Sequence, residues 1–204
     1  MNQVLPAMRW MPEPSLRPYM APMAIGALIY DHKNFDAEKA PALYPWATRF
    51  VLGLPLAPWQ REFKWSEEQC QRFITSAWTG VHLGTYLVTA EQYREERNGF
   101  TGVEYLPMTN MVIDGQQRLK AIELYVTNQL AVPDVDGKPC FWAEVGEVQK
   151  RRFSNTIFSR GVVREDSELA LRTLYDVLNF GGIAHDEHER ALPPPPSQAR
   201  RVRP

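Results

Sequence analysis

The chain has 204 residues, 44% of them hydrophobic, with 23 basic against 24 acidic side chains and a formal net charge of −1. That length fits one soluble domain and excludes a large multidomain machine, and near-neutrality excludes attraction of the whole molecule to nucleic acid, so a polyanion partner needs a local basic patch. Cys70 and Cys140 make neither a disulfide framework nor a four-ligand zinc cluster, which points to a reducing cytoplasm; no apolar run approaches the roughly 20 residues of a membrane span, and no signal-peptide order opens the chain.

Prolines divide the chain. Nine of the 17 lie in residues 1–58 and five in 193–204, so regular elements are expected between. Residues 1–22 read as a proline-rich arm that packs on the body through Trp10 and Tyr19, residues 23–185 as the domain, and residues 186–204 as a disordered tail with Arg200, Arg201 and Arg203. Ala24–Tyr30 and Arg49–Leu56 are short apolar runs bounded by Pro or Gly and are predicted as strands. Ser66 with Gln69 makes a capping box for a helix over 66–79, whose inner face carries Cys70, Phe73, Ile74, Ala77 and Trp78 and which Gly80 ends. Val81–Thr89 is predicted as a strand, residues 91–98 as a charged helix or loop, and Asn98-Gly99 as a turn. Met111–Ile113 is a short strand running into Asp114-Gly115, and a helix follows from Gln116 with Leu119, Ile122, Val126 and Leu130 on one face. Asp134–Gly137 is a turn before a strand Cys140–Val145. A last helix starts near Asp166 or Ser167, turns Leu171, Leu174 and Leu178 inward, and stops at Gly181-Gly182.

Chemistry concentrates in two segments. The first is Ile113-Asp114-Gly115-Gln116-Gln117-Arg118-Leu119. A strand that ends in Asp-Gly and opens a helix presents free N–H groups and the positive helix end, which receive anions and phosphate above all. Gly115 permits a tight turn, Gln116 and Gln117 add neutral donors, and Arg118 supplies a fork for two phosphate oxygens. Asp114 would repel a bare phosphate, so it makes sense as a ligand for a divalent cation or as a proton acceptor. The alternative is a plain turn whose Asp caps a helix with solvent-facing Gln and Arg. The second segment is Pro58-Trp59-Gln60-Arg61-Glu62-Phe63-Lys64-Trp65. It either sets Arg61 on a phosphate with an aromatic ring stacked on a base, or anchors the next helix in the core with Arg61 paired to Glu62 or Glu67.

The Trp-Gln-Arg segment closing on Trp65, the Gly80-Val81-His82-Leu83-Gly84 approach to a strand, and the Asp-Gly-Gln-Gln-Arg turn occur in that order, and over about residues 50–130 the chain resembles the DUF262 family, which includes the N-terminal domain of GmrSD-type modification-dependent restriction enzymes. The resemblance implies an α/β (α+β) fold of the ParB/sulfiredoxin-like kind, a small mixed sheet with packed helices, in which a Gly-x-x-Arg turn holds nucleotide phosphates. Carried over, Gly115, Gln116, Gln117 and Arg118 form a phosphate cradle, Asp114 is a metal ligand or proton acceptor, and Gln60 and Arg61 form a second wall. It implies an NTP, ATP or GTP, with Mg2+, and transfer of the γ-phosphate to water or to a hydroxyl acceptor such as a hydroxymethylated base in DNA. The other implication is a non-catalytic sensor of nucleotide or modified DNA that acts through a separate effector protein. Sulfiredoxin chemistry is disfavoured, because its nucleophilic Cys would stand where Gln116 does. The chain has four His, and His185-Asp-Glu-His188 lies between the Gly-Gly stop and the proline tail, where it reads as a solvated polar end and not as a nuclease centre.

Overall fold

The computed structural model describes residues 18–95 and 103–180. In chain order these form β1 (Tyr19–Ala21), α1 (Ile25–Asn34), α2 (Ala40–Leu43), β2 (Phe50–Val51), β3 (Leu54–Pro55), α3 (Glu67–Thr79), β4 (Thr85–Thr89), β5 (Tyr93–Glu95), β6 (Val103–Tyr105), β7 (Val112–Asp114), α4 (Gln116–Val126), β8 (Val132–Pro133), β9 (Pro139–Cys140), a 3-10 turn (Trp142–Glu144), α5 (Glu147–Ser154), β10 (Ser159–Val163) and α6 (Glu168–Phe180). The central sheet is mixed, in the order β1-β10-β4-β7, with β10 and β4 parallel and the other two pairs antiparallel. The protein is an α+β fold.

Alternation along the strands sends side chains to two faces. Tyr86, Val88 and Val112 pack with Ile25 and Leu28 of α1, Ile74 and Ala77 of α3, Leu119 and Ile122 of α4, and Phe153 of α5. Leu87, Ile113 and Val163 pack on the other face with Leu171 and Tyr175 of α6. The helices thus sandwich the sheet, and the end of β7 sits between α4 and the C-terminal half of α6.

The capped helix is found where expected. Gln69 N donates to Ser66 Oγ, Ser66 N donates to Gln69 Oε1, and Gly80 closes α3 at φ 76°. Four predicted elements differ. Ala24–Tyr30 is helical, because Ile25, Leu28 and Ile29 are spaced i, i+3, i+4 and are buried. Its start carries no side-chain cap; Ile25 N donates to Thr156 O instead, so a tertiary contact replaces the local signal. Arg49–Leu56 contains two short strands, turned at Leu52-Gly53 where both φ values are positive, and Leu52 N donates to Glu123 Oε2 of α4. Residues 93–95 are a strand, paired with β6. Cys140–Val145 leaves the strand after Cys140 because Phe141 N donates to Glu144 Oε2, which winds a 3-10 turn and sends Trp142 onto Tyr125 and Phe153.

Smaller differences concern element ends. β4 begins only after Gly84, and α4 ends at Val126, with Leu130 buried beyond it. Leu171 is buried, but Leu178 is 42% exposed. Neither α5 nor the inner strand β10 was anticipated; α5 buries only Phe153, and β10 carries Ser159, Arg160 and Gly161 where a strand pattern wants apolar side chains. Of the N-terminal arm, residues 18–22 are described, and β1 there pairs with β10. The rest of the arm, Asn98-Gly99, Gly181-Gly182, His185, His188 and the tail lie outside the described residues.

Candidate functional site

Asp114 ends β7, and Gly115 turns the chain into α4 at φ 97°. A Cβ on Gly115 would lie 2.6 Å from Tyr86 Cβ and 3.0 Å from Tyr86 Cα, so both the backbone angle and the space require glycine. Having no side chain, Gly115 does not cap the helix, and the first-turn N–H groups open with the positive end of α4 onto a cleft of about 160 Å³. The plain-cap alternative for Asp114 fails on this point, since its carboxylate goes elsewhere.

That carboxylate holds Arg118. Arg118 Nη2 donates to Asp114 Oδ2 at 2.8 Å across one helical turn, Nη1 donates to Leu83 O, and the guanidinium lies 5.8 Å from the Phe158 ring. Gly84 completes the seat, because a Cβ there would meet Arg118 Nη1 at 2.6 Å. Two of the segments singled out in the sequence, Gly80–Gly84 and the 114–118 turn, therefore meet at one side chain.

The opposite wall is the loop before α3. Arg49 clamps it: Nη2 donates to Gln60 O, and Nη1 pairs with Glu62 at 2.8 Å. Gln117 ties it to α4, for its Oε1 accepts from Lys64 N and Trp65 N while its Nε2 donates to Glu62 O. Gln60 is buried and donates through Nε2 to Ile113 O. The aromatic residues of this loop pack inward as the core alternative had it. Trp59 stands edge-on to Tyr175 with the Arg172 guanidinium over its ring, and Trp65 and Phe63 lie against the first core cluster.

Gln60, Arg61, Asp114, Gly115, Gln116, Gln117 and Arg118 all line the same cleft. Tyr175 and Asn179 of α6 also line it and were not foreseen; they stand far along the chain, and Tyr175, four residues after Leu171, looks in the sequence like one more core position. Tyr86, behind Gly115, has its phenol pushed up to about 12 by burial, so it stays neutral near pH 7. Among the described residues no group of three or more His, Cys, Asp or Glu side chains is placed to hold a metal. A resident metal centre does not fit here. A Mg2+ arriving with phosphates does, since Mg2+ characteristically takes one or two carboxylates plus phosphate oxygens, and Asp114 keeps its second oxygen clear of Arg118.

No helix among the described residues is long and apolar enough to cross a membrane. Comparisons with curated proteins and with solved structures return no match. The family model described as the GmrSD restriction endonuclease, N-terminal domain, matches residues 53–187, a span that holds the loop of Gln60 and Arg61, Gly84, the 114–118 turn and both α6 residues of the cleft. The chain belongs to the family of the N-terminal domain of the GmrSD restriction endonuclease.

Proposed function

We propose that the protein binds a nucleoside triphosphate, ATP or GTP, by its phosphate end in the 114–118 cleft and transfers the γ-phosphate to water or to a hydroxyl acceptor. The observation that carries this reading is the convergence of an uncapped helix N-terminus and a fixed guanidinium on one small polar cleft. Both are donors aimed where negative charge gathers, and neither must reorganise when the charge develops. The volume limits what enters. Small-molecule sites usually span about 300–1,000 Å³, so a cleft of about 160 Å³ takes the phosphate end and leaves the nucleoside outside it.

In this reading the N–H groups of 116–118 and the remaining donors of Arg118 bind phosphoryl oxygens, and Asp114 orients Arg118 from below. Asp114 would also hold a Mg2+ that comes with the nucleotide and supplies further charge neutralisation. A separate effector protein that acts on DNA is a candidate partner, and a hydroxymethylated base in DNA is a candidate acceptor in keeping with the restriction-enzyme family. The test follows the label of γ-labelled ATP and GTP with Mg2+, with and without hydroxymethylated DNA, for wild type and Arg118→Ala. Turnover in the variant is expected to fall on the order of 10²–10³-fold. Label on DNA makes the protein a kinase, and label on free phosphate makes it an NTPase. Binding without turnover makes it a sensor, and equal turnover in both proteins refutes the role of Arg118.

A further inference from the structure

Three glutamines line the cleft, and their carboxamides differ in what they have left to give. Gln117 is committed, with Oε1 on two backbone N–H groups and Nε2 on a carbonyl of the loop. Gln60 has Nε2 on Ile113 O, and its Oε1 is screened from solvent with no donor of the described protein in reach. Gln116 is different: 6% exposed, at the first position of α4, its side chain makes no hydrogen bond to any described residue. What exposure it keeps opens on two hollows, since it lines both the 114–118 cleft and a second cleft of about 300 Å³ between Phe63, Val51 and Lys120. Its amide atoms are not among those sealed from solvent without a partner, so at the mouth of a charged cleft they are open to water or to a ligand.

We infer that the Gln116 carboxamide orients the attacking hydroxyl, of water or of an acceptor entering from the second cleft, on the terminal phosphate. The inference rests on the phosphoryl-transfer reading above. An ionised phosphoryl group only accepts hydrogen bonds, so an amide whose sole task is to hold phosphate uses its Nε2 and wastes its Oε1. An amide set between a phosphate and a hydroxyl uses both: Nε2 donates to a phosphoryl oxygen, and Oε1 accepts from the nucleophile's O–H. The attacking oxygen bonds to the terminal phosphorus as the bond from phosphorus to the bridging oxygen breaks. The nucleoside diphosphate leaves with that electron pair, and the proton passes to a phosphoryl oxygen and then to solvent; Gln116 directs the proton and does not keep it.

The experiment measures binding and turnover of ATP and GTP with Mg2+ separately, for wild type, Gln116→Ala and Gln116→Met. Since the native side chain holds nothing in the fold, both variants are expected to melt near wild type, and Met also preserves its shape. The expected result is nucleotide affinity within about threefold of wild type with kcat lowered on the order of 10²-fold in both variants, the size of effect that loss of orientation produces. Affinity falling in step with kcat would overturn the inference and make Gln116 a ground-state phosphate ligand, and unchanged kcat would overturn it as well. If wild type itself binds neither nucleotide, the phosphoryl-transfer reading falls and this one with it, an outcome told apart because it needs no variant.

Discussion

The two ends of α4 border two hollows of opposite character. At its start lies the cleft of about 160 Å³, walled by Arg118, Asp114 and three glutamines. At its end lies a groove of about 580 Å³ around Tyr125, walled mainly by Trp78, Val132, Pro133 and Val145. The larger hollow has less chemistry. Trp78 Nε1 donates to Tyr125 OH and Arg152 donates to Trp78 O, so its main polar groups serve one another. Burial pushes the Cys140 thiol up, which keeps it protonated and a poor nucleophile near pH 7. Size here follows from how large aromatic rings pack, whereas the small cleft follows from donors that the backbone aims at one place.

The sharpest way to break this contrast is at Gly115. Gly115→Ala meets both a strained φ and the backbone of Tyr86, so it is expected to cost about 3 kcal/mol or more, a fall of roughly 6–12 °C in Tm, and to abolish turnover. Gly84→Ala meets a positive φ of 76° as well, but the only atoms its Cβ would crowd are the movable tip of Arg118. It is expected to cost about 1 kcal/mol while turnover drops nearly as far as in Arg118→Ala. Thermal melts beside turnover assays check the pair, and equal stability losses at the two glycines would remove the distinction between a structural and a functional close approach.

Next in size is Gln117, whose sequence reading and structure diverge in an instructive way. Beside Gln116 it looks like a second donor to the ligand; in the fold its carboxamide braces the loop 62–65. Gln117→Leu strands the Lys64 and Trp65 N–H groups and is expected to lower stability by about 2 kcal/mol, roughly 4–8 °C in Tm. Turnover per folded molecule should fall less than in Gln116→Ala. A stable Gln117→Leu protein with turnover as low as Gln116→Ala would return Gln117 to the ligand.

The cleft was legible in the sequence to the extent that its residues are neighbours in the chain. Asp114 to Arg118 is one turn and Gln60-Arg61 one short motif, so the sequence, read with the family resemblance, brought out seven of its walls. What chain order could not express is which donors are already used. Arg49 gave no sign that it clamps Gln60 and Glu62, and nothing local marks Tyr175 or Asn179, which reach the cleft only because α6 lies along the sheet. The same limit explains the fold. α3 was readable because Ser66 and Gln69 carry its cap locally, while α1 starts with Ile25 N donating to Thr156 O and reads as a strand. β10 was missed because it is held by pairing to β4 and β1, and its own side chains say little.

The smallest expected effect tests the groove. Trp78→Phe keeps an aromatic ring against Phe153 and Tyr125, though a smaller one, but removes the donor to Tyr125 OH. Burial pushes the Tyr125 phenol up to about 12 even with that hydrogen bond present, so the hydroxyl stays protonated, and its oxygen can accept from water in place of the lost donor. The cost is therefore expected near 1 kcal/mol, roughly 2–4 °C in Tm. Nucleotide binding and turnover should match wild type, because the nine residues from Gln116 to Tyr125 set the groove about 14 Å along the helix from the cleft. A Trp78→Phe protein that melts near wild type yet turns over tenfold more slowly would show that the two ends of α4 are coupled, and the division between a packing hollow and a chemical one would have to be given up.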